Sequence, residues 1–345
     1  MRNKQFIIHL SLLFLFAGIV HSYKTIELYA DPLYYSSYAF KTRAVLGGQD
    51  SSSKMQCHQD FVINMGPYGG SDTLKDVNSL KQCGDVTVKG KQDYVQTLKF
   101  GSFNAPIEYY SGYSLGSPDL DFTSSKFSIP AQLTNEGYLS NPVFYLNYVR
   151  DFDYRENAQT KSYISLQDYD KSVLKPGASF IKIAKDPYHS LWDFPLKSVK
   201  ILGQTYPVMS SYEIYYLQSY DKLGIGSAFQ PFLDTLDRLG VKYQRDKDLF
   251  YYFLLNKEDI QKLPDIILQV TDADGQNQDL VIPPQNYIFD CEGKTILKVD
   301  MTEIGGSPLY FTYLTGFNYK DNLILLGERN NSTSQKSFLA KQSSQ

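Results

Sequence analysis

The sequence predicts an all-β chain with a few short helices. Three observations carry that expectation. Tyrosine and phenylalanine are abundant, at 29 and 21 residues against a single tryptophan, and aromatic and β-branched residues suit a pleated, half-buried surface. Short apolar runs recur with Gly, Pro, Asn and Asp between them, the spacing of strands and turns. Helical periodicity is confined to brief stretches.

In chain order, Phe6 to Val20 is almost wholly apolar and follows Arg2 and Lys4. It is too short for a comfortable membrane span and ends in Val20-His21-Ser22, so residues 1–22 are expected to be a cleaved signal peptide. Removing its only charges, Arg2 and Lys4, takes the formal charge from −3 to −5. An acidic, mixed-charge chain lacks the basic face that nucleic acid requires. No later run is long enough to span a membrane, so the mature chain is expected to be soluble and monomeric.

Strands are expected at Val95–Phe100, Val199–Leu202, Ile266–Val270 and Asp279–Ile282. The last two flank Asp272-Ala273-Asp274-Gly275, a hairpin signal. Short helices are expected from Ile129 to Gly137, with Ser128 as cap and Pro130 in the first turn, from Ala228 to Leu239 before Gly240, and from Lys257 to Leu263.

Three cysteines follow the signal segment: Cys57, Cys83 and Cys291. In an oxidising compartment Cys57 and Cys83 form the natural local pair. Cys291 is then odd, either buried or paired between chains. Asn330 and Asn331 each begin an Asn-x-Ser/Thr sequon, the glycosylation signal of a secreted surface. The Ser/Gln/Lys-rich residues that follow read as a disordered tail.

An ordered series of segments resembles the pepsin family of aspartic peptidases. Ser111-Gly112-Tyr113-Ser114-Leu115-Gly116 resembles that family's Gly-Ile-x-Gly-Leu turn. Ser128-Ile129-Pro130-Ala131-Gln132-Leu133 is similar to its Ser-Ile-x-x-Gln-Leu helix, and Pro142-Val143-Phe144-Tyr145-Leu146 to the strand that follows. Trp192 with Val199–Gly203, Leu263–Ile266 with Ile282–Tyr287, and Gly306 to Gly327 continue the series through the second half. The resemblance implies a bilobal fold: signal peptide 1–22, an N-terminal lobe 23–190, a C-terminal lobe 191–329 and a tail 330–345.

The resemblance also locates what is missing. Pepsin-like catalysis needs one aspartate from each lobe, sharing a proton, each in an Asp-Thr/Ser-Gly turn. Neither triplet occurs in this chain. Asp60-Phe61-Val62-Ile63-Asn64-Met65-Gly66 stands where the first should be. It puts Asn64 in place of the acid and Met65 in place of the supporting hydroxyl. An amide is no general base, and a thioether donates no hydrogen bond. The second position falls at Ser219 or Asp221, and Asp221 is the acid that would survive as a relic. Cys83-Gly84-Asp85-Val86-Thr87 resembles the substrate-covering flap, with Cys83 at its tyrosine. A disulfide there would tie the flap down.

The implied protein is secreted to the extracellular space or to a secretory-lysosomal compartment. It is pepsin-like without cutting, and it takes an extended peptide or protein ligand between its lobes. The alternatives are an active aspartic endopeptidase with unorthodox motifs and a secreted surface protein that ignores its cleft.

Other chemistries have weaker signals. Gly112-Tyr113-Ser114-Leu115-Gly116 matches a nucleophile elbow, with His189 as the only later histidine. However, Ser117-Pro118 follows where a helix is required. Cys83 as a nucleophile would need His58 as its base. There is no His-Glu-x-x-His, no Cys-x-x-Cys and no glutamate closing a calcium loop after Asp272, so neither metal nor other cofactor is expected.

Overall fold

The computed structural model describes residues 24–30, 40–48, 51–65, 81–88, 93–100, 103–110, 119–126, 128–148, 162–208, 214–218, 220–246, 251–291 and 293–330. The expected signal peptide, the 111–118 segment and the residues from Asn331 onward lie outside them.

The described chain is all-β, with antiparallel pairing dominant and few helices. The first half supplies β1 (Lys24–Ala30), β2 (Phe40–Leu46), β3 (His58–Asn64), β4 (Val86–Val88), β5 (Asp93–Phe100), β6 (Phe103–Tyr110) and β7 (Asp119–Asp121). Helix α1 (Ile129–Asn135), β8 (Val143–Asn147), β9 (Ser162–Leu166) and β10 (Phe180–Ala184) follow. The second half opens with β11 (Asp193–Ile201), β12 (Gln204–Pro207), β13 (Ile214–Leu217) and β14 (Leu223–Gly224). Helix α2 (Phe229–Arg238) leads to β15 (Tyr243–Arg245), β16 (Tyr252–Leu254), β17 (Ile266–Thr271) and β18 (Asn277–Ile282). Helix α3 (Pro284–Tyr287), β19 (Ile288–Cys291), β20 (Lys294–Leu297), β21 (Val299–Asp300) and β22 (Ile304–Gly305) come next. Helix α4 (Ser307–Thr312), β23 (Tyr313–Asn318) and β24 (Leu323–Glu328) complete the set.

A 12-stranded sheet runs in the order β10-β24-β23-β8-β9-β1-β2-β3-β7-β6-β5-β4. Its first six strands come from both halves, because β23 lies antiparallel to β8 with Phe317 opposite Phe144. Alternation assigns the two faces of this part. Ile26, Ile164, Phe144, Leu146, Phe317 and Ile324 point into the main core. Val143, Tyr145, Leu314 and Leu325 form a smaller cluster on the other side with Leu174. With both faces covered, β8 is buried at every position, as Val-Phe-Tyr-Leu-Asn allows. The main core is continuous across the halves, joining Ile63 and Phe122 to Trp192, Leu217 and Phe317.

The hairpin of β17 and β18 forms as its turn residues demand. Asp272 Oδ1 accepts the backbone N–H groups of Asp274 and Gln276. Strand β17 alternates buried with half-buried residues. The helix expected over 228–239 is observed as Phe229–Arg238. It closes at Gly240, whose φ of +67° suits a residue without a Cβ. The amides of Gly240 and Val241 reach the carbonyls of Asp237 and Leu236, a Schellman closure. The expectation for Lys257–Leu263 is realised as a 3₁₀ segment, Lys257–Lys262. One local expectation fails: Ser128 makes no side-chain cap on α1. It is fully buried instead, and Pro130 supplies the helix start.

Candidate functional site

Each half contains a parallel pair of short strands. In the first half β3 runs parallel to β7, with Asn64 opposite Asp121. In the second, β13 runs parallel to β22 and β14 to β21. Hairpins cannot produce parallel neighbours, so each pair requires a long excursion of the chain before the second strand returns.

Asn64 ends β3, and its ladder partner is an acid that the sequence reading passed over. Asp121 is buried. Its Oδ1 accepts the Thr123 N–H at 2.7 Å and its Oδ2 the Ser125 hydroxyl at 2.7 Å. Met65, at the expected hydroxyl position, is 1% exposed and belongs to the core. Gly66 lies outside the described residues.

In the second half the 218–222 turn links β13 to β14. Ser219 lies outside the described residues, whereas Asp221 is placed. The start of α4 takes up the turn's carbonyls. Ser307 N–H donates to Tyr220 O at 2.7 Å and Ser307 Oγ to Asp221 O at 2.8 Å. The Tyr310 hydroxyl donates to Gln218 O at 2.9 Å. This closeness depends on Gly306: a Cβ there would stand 2.2 Å from Tyr220 O and 2.4 Å from Lys222 O.

The Asp221 carboxylate accepts the Tyr251 hydroxyl on Oδ2 at 2.5 Å, while its Oδ1 is buried with no hydrogen-bond partner. Beside it, Tyr220 donates to Asp300 Oδ2 at 2.6 Å. The Lys222 ammonium lies 3.9 Å from the same oxygen and 4.3 Å above the Tyr251 ring. Asp300 Oδ1 accepts both donors of Thr302. Asp121 is thus bonded within its own loop and Asp221 to Tyr251, just before β16, with no hydrogen bond between the two acids among the described residues.

Trp192 joins the two sites. Its indole N–H donates to Phe122 O, next to Asp121, and its carbonyl accepts the N–H of Leu217, next to Gln218. Tyr319 adds a second tie, its hydroxyl donating to Thr123 O. Burial pushes the phenols of Tyr215, Tyr310 and Tyr319 well above their ordinary range, so all three remain donors.

Cys83 is assigned to the flap by resemblance, and the structure places it before a hairpin. The hairpin is built from β4 and β5, with Val86 opposite Gln96 and Val88 opposite Tyr94. Residues 89–92, between the two strands, lie outside the described residues. Cys83 lies before the hairpin in a turn, 1% exposed and bonded to Cys57 with Cα atoms 5.5 Å apart. Ser51 Oγ donates to the Cys83 carbonyl at 2.8 Å. The disulfide therefore ties the turn before β4 to the residue that precedes β3. It also removes Cys83 as a nucleophile, and His58 Nε2 faces Ser52 O at 3.1 Å.

Cys291 ends β19 opposite Lys294. Asn330 follows β24 and donates its N–H to Val173 O; Asn331, the second sequon, is outside the described residues. Among the described residues no three His, Cys, Asp or Glu side chains gather to hold a metal ion. No helix among them is long and apolar enough to cross a membrane. No protein-family model matches the chain, and no curated protein matches it.

Proposed function

We propose that this chain is a secreted, pepsin-like protein that does not cut and that holds extended peptides between its two halves. The observation that carries the reading is the inequality of the two parallel-strand sites across Trp192. The first presents Asn64 beside an Asp121 engaged by Thr123 and Ser125. The second presents Asp221 bonded to Tyr251. A proton-sharing dyad needs two carboxyls in contact. The six strands shared between the halves support the bilobal comparison. A disulfide in an all-β chain fits an oxidising, secretory environment.

Strand addition is the binding mode that suits an extended peptide, because main-chain hydrogen bonds tolerate many side chains. The test has two arms. Unfolded protein substrates are incubated with the mature chain and with Asp221→Ala from acid to neutral pH. Peptide binding is followed by fluorescence anisotropy with a library of extended peptides and their proline-substituted counterparts. The expected result is no cleavage and saturable binding weakened by proline, which removes a donor from the ladder. Acid cleavage abolished in Asp221→Ala would establish the active-endopeptidase alternative. Absence of saturable binding, or binding indifferent to proline, would leave the surface-protein reading.

A further inference from the structure

The segment from Lys185 to Trp192 connects β10 to β11 and touches both halves. Ser124 donates its N–H to Ser190 O at 2.9 Å and its hydroxyl to Leu191 O at 3.2 Å. Lys185 N–H reaches Asn322 O in the β23–β24 turn. Trp192 engages Phe122 and Leu217 as described. Inside this connector lies a titratable cluster that neither parallel-strand site uses. Asp193, the first residue of β11, is 0% exposed. His189 Nδ1 stands 3.1 Å from Asp193 Oδ2 and 3.8 Å from Asp186 Oδ1. Lys185, 8% exposed, gives its ammonium to the carbonyls of Asp186 and His189. From β13, Tyr216 is the ladder partner of Asp193, and its ring meets the His189 ring edge-on. The facing first-half residues, Thr123 and Ser124, are uncharged. The β23–β24 turn carries Lys320 and Asp321.

We propose that the His189–Asp193 pair is a proton-operated latch: by taking up one proton from mildly acid solution, it tightens the connector that ties the two halves together. Burial penalises the charged carboxylate and raises Asp193 from 3.8 to about 6, and the Asp186 charge adds to the rise; His189, Lys185 and the backbone N–H of Asp186 oppose the shift without cancelling it. The folded value lies above the unfolded one. The folded chain therefore binds this proton between roughly pH 6 and pH 4, where the unfolded chain does not. This contribution to stability rises as pH falls through that window and is lost as pH climbs through 6. The same proton acts on the elements flanking Trp192, and so on the alignment of the two parallel-strand sites. The latch stands whether or not those sites bind peptide.

Urea unfolding of the mature chain from pH 4 to 7.5, beside Asp193→Asn and His189→Gln, tests it. The unfolding constant of the native chain relative to Asp193→Asn is expected to fall by about 100-fold from pH 7 to pH 4, the equivalent of a two-unit shift. Amide exchange at Asp186 and Leu217, corrected for intrinsic rates, is expected to slow over the same range in the native chain alone. His189→Gln removes a neighbour that favours the carboxylate, so the midpoint should move to higher pH. That readout serves by itself if Asp193→Asn does not fold. Parallel pH profiles for native and Asp193→Asn chains, or an unmoved midpoint in His189→Gln, would overturn the proposal.

Discussion

The indole N–H of Trp192 donates to the carbonyl of Phe122 at 2.9 Å, across 70 residues of sequence. The ring is fully buried and packs against Phe317 and Tyr319 at centroid distances of 5.1 and 5.0 Å. One side chain thus supplies apolar contact with the shared sheet and the polar partner of a carbonyl beside Asp121. Trp192→Phe would remove ring volume and leave that buried carbonyl unpaired. The combined cost is expected at about 2–4 kcal/mol. It should be read as a lower denaturant midpoint with an unchanged slope. A midpoint equal to the native one would show that Phe122 finds another donor.

The Cys57–Cys83 bond closes a loop across a sequence separation of 26. In the chain-entropy account, a loop of that length stabilises by roughly 3–4 kcal/mol. The double variant Cys57→Ser, Cys83→Ser is expected to lose that amount, and reduction of the native chain should match it. Because the bond ties down the turn before β4, the amides of Val86 to Val88 should lose most protection from exchange. Uniform loss of protection over the whole chain would contradict this local role.

Gly306 allows the 220–222 turn to rest on α4. Its missing Cβ would collide with two backbone oxygens, which cannot swing aside as a side chain tip can. Gly306→Ala is expected to destabilise by about 1–3 kcal/mol as an overpacking change. It should also displace Asp221 from Tyr251, since Ser307 binds the turn through Asp221 O. Tyr251→Phe removes that hydroxyl bond without moving the turn. A smaller loss in Tyr251→Phe than in Gly306→Ala would separate the two effects.

What was legible in the sequence was local. The β17–β18 hairpin is signalled by Asp272 and Gly275, and the end of α2 by Gly240. The Cys57–Cys83 pair follows from their nearness in sequence. The parallel-strand sites were less legible. Strands β14 and β21 have two residues each, too few for any alternation. Asp121 stands beside Asn64 only because β7 returns to β3 after more than fifty residues, a pairing that no local pattern announces. Cys83 reads by resemblance as part of a flap, and it lies in the turn that leads into β4. The hairpin itself is carried by Val86–Val88 and by the β5 residues from Tyr94 to Gln96 that pair with them. Ser128 has a helix cap's identity but is buried, so tertiary packing overrode a local preference.

Acid stability should reflect two opposed sets of carboxyls. Asp259 is held below the ordinary range first by the backbone N–H of Lys242 and then by the Lys262 ammonium, bonded at 2.9 and 2.6 Å. Asp272 is held down first by the Gln276 N–H, and Asp279 first by Lys200. For these three the folded value lies below the unfolded 3.8. Their contribution is complete above about pH 4 and is lost as pH falls through the folded values. Asp193 behaves oppositely, gaining between about pH 6 and pH 4. The two trends place the greatest stability in mild acid, near the crossing of the windows. Asp259→Asn should therefore flatten the acid limb of a melting-temperature profile below pH 4, and Asp193→Asn should flatten the limb above it. Thermal melts at half-unit pH steps would test both limbs in one series. A native chain most stable at or above pH 7 would show that the burial of Asp193 is compensated in solution.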